Sequence, residues 1–351
     1  MSCLLDAFEN SLVCTQVVEE NWIGPPEIRA RPSNLFRRTE VRCWPAQMTE
    51  RSKSPRRFYR HACLAVSLSL FALTRSHVRL VSDLSEHGDQ DALPQTRLKI
   101  ACWVMTTESL ADVNRSKAIA NGWGKGCDAL EFIDRNTVGI EADWVDGYKH
   151  IAGKSYRAWL LMFHKYLRGG SKSQPYDFVL KADTDTFIIE KNLRSFLARI
   201  SPDDAHYIGK QLKVGEGISI VAGATIILSR TALELFAEAT NKSTGPCSKV
   251  TFFANDAEDV ALASCLRDFG VYPMNTRDES GAERFMVLHP KTMAQKNSSL
   301  PSWYLDMSFN KKSGETCCSE EAITFHYVTL EEQRNGVLEY TSGLWQFASE
   351  V

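Results

Sequence analysis

The sequence predicts an α/β domain, and two observations point there. Beyond residue 97, short apolar runs alternate with stretches of helical period, in the order strand, helix, strand, helix, strand. The first of these runs, "LKIACWVMTT" from Leu98, is continuously apolar instead of alternating, as a strand buried on both faces must be. That order implies a parallel sheet joined by crossovers, with ligands beyond the carboxyl ends of its strands.

Each element has a local reason. "SLADVNRSKAIANGWGKGC" is amphipathic and reads as the first helix, and "ALEFID" as the second strand. "GKSYRAWLLMFHKYL" (153–167) carries Tyr156, Leu160, Phe163 and Leu167 on one helical stripe. "DFVLKAD" is the third strand, and Asp183 and Asp185 stand at its carboxyl end. Beyond it, "NLRSFLARI" reads as helix, "AHYIGK" as strand, "ISIVAGATIILS" as a strand pair broken at Gly223, and "TALELFAEAT" as helix. "AEDVALASCLRDFG" (257–270) begins with acids and stops at Gly270, which marks a helix. The segment after "CCSEEAITFHYV" is polar and reads as peripheral.

Composition narrows the class. The chain has 351 residues, 44% hydrophobic and 24% charged, with a formal net charge of -2, a soluble globular balance. Between Arg29 and Arg60 there are ten Lys or Arg against Glu40 and Glu50, with little to build a core, so 1–60 reads as a solvated basic tail. No nucleic-acid-binding motif accompanies it, and no nucleic acid is expected as partner. The uncharged "ACLAVSLSLFAL" that follows is short for a membrane span; with its basic flank, 61–80 reads either as a short signal-anchor or as a core segment. Residues 81–96 read as a stem or linker, and 97–351 as the catalytic domain. Six of ten cysteines lie beyond residue 100 without metal-site spacing, and Asn-X-Ser sequons occur at Asn114, Asn241 and Asn297. Together these suit an oxidising, glycosylating compartment. Six cysteines allow fifteen pairings, so the connectivity stays open.

Two chemistries use paired acids at a strand end. "FVLKADTDTF" fits the DxD nucleophile motif of haloacid-dehalogenase phosphohydrolases, with Asp183 as nucleophile, Asp185 as acid/base, Ser229 in a second motif and Asp256 and Asp259 in a distal one. The same carboxylates suit a nucleotide-sugar transferase, where hard oxygen ligands hold a divalent ion against a diphosphate. His326, between Phe325 and Tyr327, reads from sequence alone as a core histidine, and Glu258 and Asp259 as first-turn acids of a helix.

Several segments together resemble the core 1 β1,3-galactosyltransferases, the T-synthase branch of the β1,3-glycosyltransferase family. They are "CWVMTT", "GWGKGCDALEF", "YDFVLKADTDTF", "YIGK", "EDVALASCL", "GVYPMNTRDESGAERF", "SWY" and "CCSEEAITFHYV", in the family's order over about residues 98 to 330. The resemblance implies a GT-A fold: a Rossmann-like nucleotide-binding sheet with a C-terminal acceptor-binding part. It implies inverting transfer of galactose from UDP-galactose to the 3-hydroxyl of GalNAc-α-Ser/Thr on glycoproteins. It further implies Mn²⁺, with Mg²⁺ as the alternative, and a lumenal Golgi or ER enzyme of type II topology. The membrane would be reached through the N-terminal anchor, and a homodimer is among the expected arrangements.

Carried onto this sequence, Asp183, Asp185 and His326 match metal ligands and Asp259 the general base. Thr106, Thr107, Lys181, Asp183 and Gly223 would meet the donor, and Trp303, Tyr327 and Glu258 the acceptor. A fringe-like β1,3-hexosyltransferase and a catalytically silent chaperone-like homologue are the alternatives within the family. The chain departs from the pattern in three places. Thr184 replaces the central aspartate of the metal motif, Ala222 replaces a glycine beside Gly223, and Ala120 and Gly122 stand where a basic residue is usual. An extra methyl at Ala222 is expected to crowd the donor sugar.

Overall fold

A computed structural model describes residues 97–140, 150–168, 175–215 and 218–347. The expected tail, anchor and stem lie outside these residues, which belong to one unit, Thr96–Val351. The central sheet has five strands in the order β2-β1-β3-β6-β5. They are β1 (Ile100–Met105), β2 (Ala129–Ile133), β3 (Phe178–Asp183), β5 (Tyr207–Val214) and β6 (Ile218–Ser229). β1 is parallel to β2 and to β3, as expected from the alternation of strands and helices. β6 runs antiparallel to β3, and β5 antiparallel to β6.

All six residues of β1 are buried, and they divide by parity. Ala101, Trp103 and Met105 join one apolar cluster, whereas Ile100, Cys102 and Val104 join another. β3 does the same through Val179 on one side and Phe178, Leu180 and Ala182 on the other. Side chains alternate across a strand, so a sheet covered on both faces needs an unbroken apolar run. On one face lie α2 (Ile151–Met162), α4 (Arg230–Ala239), α5 (Lys249–Phe253) and α6 (Glu258–Arg267); on the other lie α1 (Leu110–Asn121) and α3 (Glu190–Leu197). Trp159 of α2 meets Trp103 edge-on at 5.2 Å, an arrangement that aromatic quadrupoles favour.

Some expectations need correction. β6 is one continuous strand through Gly223, not a pair, because both flanks keep pairing with β5. Its register with β5 slips there: Gly209 pairs with Ile226 and Gln211 with Val221, so residues 222–225 of β6 stand opposite Lys210 alone. The stripe of α2 is wider than Tyr156, Leu160 and Phe163: Trp159 and Met162 are fully buried, Leu160 only partly, and the last turn relaxes into a π-helix over Phe163–Leu167. The C-terminal segment is not wholly peripheral either. It forms the hairpin β8 (Leu338–Thr341) and β9 (Leu344–Phe347), whose Trp345 is buried against the core. α6 ends ahead of Gly270, as expected.

Among the described residues three disulfides are formed. Cys102–Cys127 ties β1 to the turn before β2, Cys247–Cys265 ties the approach of α5 to α6, and Cys317–Cys318 joins neighbours. Asn241 and Asn297 are exposed and Asn114 half-exposed, so the sequons lie on the surface. Among the described residues no helix is long and apolar enough to cross a membrane.

Candidate active site

The site forms where the central sheet meets a second, two-stranded one. β4 (Phe187–Ile188) pairs antiparallel with β7 (Thr324–Phe325), placing Phe187 opposite Phe325 and Ile188 opposite Thr324. One step outward, this ladder brings the residues after β7 over the residues before β4. Val328 N–H donates to the Asp185 carbonyl at 2.9 Å, so the two segments stay together past the strands. Consequently His326 Nε2 lies 2.9 Å from Asp185 Oδ1 and 3.5 Å from Asp183 Oδ2. Each of the three offers one ligand atom within 4.8 Å of the other two. Histidine and aspartates so distant in sequence meet only through this short ladder.

The electrostatics are those of a cation site. In the metal-free protein, burial alone would lower the His326 pKa, but the hydrogen bonds and charges of Asp183 and Asp185 raise it to about 9. Asp183 is held below the usual carboxylate range, because Lys181 and His326 outweigh the opposing effect of burial. Two carboxylates and an imidazole are hard or borderline donors, and they leave positions open for phosphate oxygens. The donor set therefore fits Mn²⁺ or Mg²⁺.

Lys181 is fully buried on β3 and donates to Asp183 Oδ1 at 2.6 Å, to Glu258 Oε1 at 2.6 Å and to the Gly223 carbonyl. An ammonium group has three protons, and all three are committed. Lys181, expected from the resemblance at the donor, thus spends its protons within the protein and struts β3, β6 and α6. Glu258 is buried with its Oε1 on this strut, and burial pushes its carboxyl up, with Lys181 opposing and Asp183 reinforcing. Asp259 is half-buried, and burial likewise pushes its carboxyl up, against Val260 N–H and the Lys181 charge.

These groups face a cavity of 410 Å³ whose lining includes Asp183, Ala222, Gly223, Asp256, Glu258, Asp259, Trp303, His326 and Tyr327. A Cβ at Gly223 would lie 3.2 Å from Glu258 Oε1, a tight contact to which the carboxylate on the Lys181 strut would have to yield. Trp303 and Tyr327 are partly exposed on the cavity, and Tyr327 holds φ at 59°, costly for a non-glycine residue and typical of functional sites. Its ring lies 4.3 Å from that of His326. A second cavity of 490 Å³ beyond β1 and β2 is lined by Thr106, Thr107, Phe132 and Asp134, among others. The structure thus gathers Asp183, Gly223, Glu258, Asp259, Trp303, His326 and Tyr327 at one cavity and puts Thr106 and Thr107 at another.

The phosphohydrolase alternative does not survive this geometry. Ser229 pairs with Phe178, the first residue of β3, because β6 is antiparallel to it. Asp183 is the last residue of β3, so Ser229 lies at the opposite end of the strand. Its hydroxyl caps α4 and bonds to the Asp204 carbonyl and the His206 amide.

Sequence reasoning missed three residues that hold the loop between β3 and β4. Buried Gln333 donates to the Thr186 carbonyl at 2.7 Å, and the Trp123 indole donates to the same carbonyl at 3.1 Å. Asp112 accepts from Thr184. Asp112 carried a signal only as a first-turn acid, and Gln333 carried none, because its partners are backbone atoms of a distant loop.

No protein-family model matches the chain. Over 247 residues it is 31% identical to glycoprotein-N-acetylgalactosamine 3-beta-galactosyltransferase 1 of Xenopus laevis. The two chains are homologous. The match covers 67% of this chain and 64% of that relative, so the chain spans slightly less than two thirds of the relative's length. It supports the T-synthase resemblance read from the motifs. A crystal structure of a glycosyltransferase involved in the glycosylation of the major capsid of PBCV-1 superposes with a TM-score of 0.26 at 11% identity, over 41% of this chain and 68% of that one. A superposition at that level carries no argument about this site.

Proposed function

We propose that the protein is a metal-dependent, inverting glycosyltransferase that moves galactose from UDP-galactose to the 3-hydroxyl of an α-GalNAc on Ser or Thr of a glycoprotein. The observation that carries this reading is the convergence of Asp183, Asp185 and His326 beside a cavity that also holds Asp259. The homologue's name supports the donor sugar and the acceptor.

A divalent ion held there would supply positive charge against the diphosphate and so favour departure of UDP. The chain's own residues do the rest. Asp183 Oδ2, Asp185 Oδ1 and His326 Nε2 would hold the ion. Thr106 and Thr107 line the cavity that would take the uridine. Trp303 and Tyr327 present aromatic faces suited to the C–H surface of the acceptor sugar. Asp259 would take the proton of the acceptor hydroxyl as it attacks the anomeric carbon; a carboxyl raised by burial is a better base near neutral pH than an exposed one. Lys181 keeps Asp183 ionised and Glu258 in place.

The test is transfer from UDP-galactose to an aryl α-GalNAc acceptor. Transfer should require Mn²⁺ or Mg²⁺, stop on chelation and return when the ion is restored. Product without any divalent ion would refute the metal role. Transfer to a fucosyl acceptor in place of α-GalNAc would favour the fringe-like alternative, and binding of UDP without turnover the chaperone-like one. A lumenal Golgi enzyme is the setting that the formed disulfides and surface sequons support.

A further inference from the structure

We propose that Asp112 is a positioning residue that clasps the metal-ligand loop from behind and couples it to the end of β1. The proposal rests on the reading of Asp183, Asp185 and His326 as metal ligands.

Thr184 and Asp185 form a turn after β3, in which the Thr186 amide donates to the Asp183 carbonyl; the two aspartates that flank Thr184 reach His326, while the Thr184 hydroxyl reaches Asp112. Residue 184 is therefore where the loop can be gripped without competing for the ion. Thr184 is 6% exposed, and its hydroxyl donates to Asp112 Oδ1 at 2.8 Å. The other carboxylate oxygen, Oδ2, accepts from the Thr107 hydroxyl, just past β1. Asp112 itself is held: its amide donates to Ser109 Oγ at 3.2 Å, and the Ser109 amide donates to Thr107 Oγ1 at 3.2 Å.

An ordinary first-turn acid would point its carboxylate at the free amides of its own helix. Asp112 instead spends both oxygens on hydroxyls of two different loops. Those loops line the two cavities of the site: Thr107 one, and the segment beginning at Asp183 the other. The nearest cation is Arg115, 4.0 Å away. An aspartate at 184 would set a second negative charge against Asp112, whereas a threonine supplies the proton the carboxylate needs. The departure at Thr184 and the acid at Asp112 are thus complementary.

The experiment measures Mn²⁺ affinity of the full chain by calorimetry, without nucleotide, for wild type, Asp112→Ala, Thr184→Val, the double variant and Asp112→Asn. Each single truncation should weaken Mn²⁺ about tenfold, the size expected from losing one charge-assisted hydrogen bond. The double variant should be no weaker than Asp112→Ala, because both changes remove one interaction. Asp112→Asn, which can accept from one hydroxyl and donate to the other, should recover most of the affinity. Should Asp112→Ala fail to fold, the Thr184→Val comparison decides alone. Wild-type protein that binds no Mn²⁺ overturns the ligand reading and this proposal with it. Tight wild-type binding with unchanged single variants, or losses that multiply in the double variant, overturns the clasp and leaves the ligand reading standing.

Discussion

His326 sits between two carboxylates, and this sets a proton competition at the site. Its folded pKa of about 9 stands above the ordinary 6.5, so in the metal-free protein it contributes stability that is complete below pH 6.5 and lost as pH rises through 9. An imidazole binds a metal only through an unprotonated nitrogen, so binding expels the proton His326 carries. Mn²⁺ affinity should rise with pH, about tenfold per unit between 7 and 9, and level off above. Calorimetry in two buffers of different ionisation enthalpy should find close to one proton released near pH 7.5; a buffer-independent heat would refute His326 as a ligand. Asp259 is predicted to act differently. Asp259→Asn should lower turnover by about 10²- to 10⁴-fold while UDP–Mn²⁺ binding persists, since positioned base catalysis is of that size. Loss of both turnover and UDP binding would show that the base and ligand roles are misassigned.

The strands and helices bring these groups together through two constraints. One is the bulge between β5 and β6, where Gly209 of β5 holds φ at +150° with the Val221 side chain and the Thr225 carbonyl so close that a Cβ would lie 2.4 and 2.5 Å from them. Gly209→Ala should destabilise the fold by about 2 kcal/mol or more, combining backbone strain with overpacking, visible as a lower urea midpoint. A midpoint unchanged from wild type would mean that the bulge can open without cost. The other constraint is Cys247–Cys265, which closes 18 residues and anchors α6, the helix that begins with Glu258 and Asp259. Replacing both cysteines by alanine should cost about 3 kcal/mol, with a thermal midpoint several degrees lower and unchanged far-UV dichroism. An equal midpoint would assign α6's stability to packing alone.

Taken as a whole, the fold is an α/β sheet whose buried strands were visible as apolar runs and whose helices were visible as periodic stretches. β1, β2 and β3, the helices between them and the strand-end position of Asp183 and Asp185 followed from residue pattern, because burial on both faces leaves a local trace in composition. The continuity of β6, the burial of Trp345 and the β4–β7 ladder did not. Two-residue strands carry no periodicity, and a strand that resumes pairing with the same partner beyond a glycine looks the same in sequence as two that part there. Lys181 shows the same limit. The resemblance set it among the donor-binding residues, and no local pattern shows that Asp183, Glu258 and Gly223 take its three protons.

Local pattern decided the architecture, the acidic pair and, through recurring motifs, the family resemblance, since each of these is written in residues adjacent along the chain. The resemblance named His326, but its meeting with the aspartates through the β4–β7 ladder, which acid is an anchored strut partner, and which threonine is gripped from behind were decided only by tertiary structure. Such pairings join residues far apart in the chain, and their energies depend on distance and burial, quantities that exist only once the chain has closed on itself.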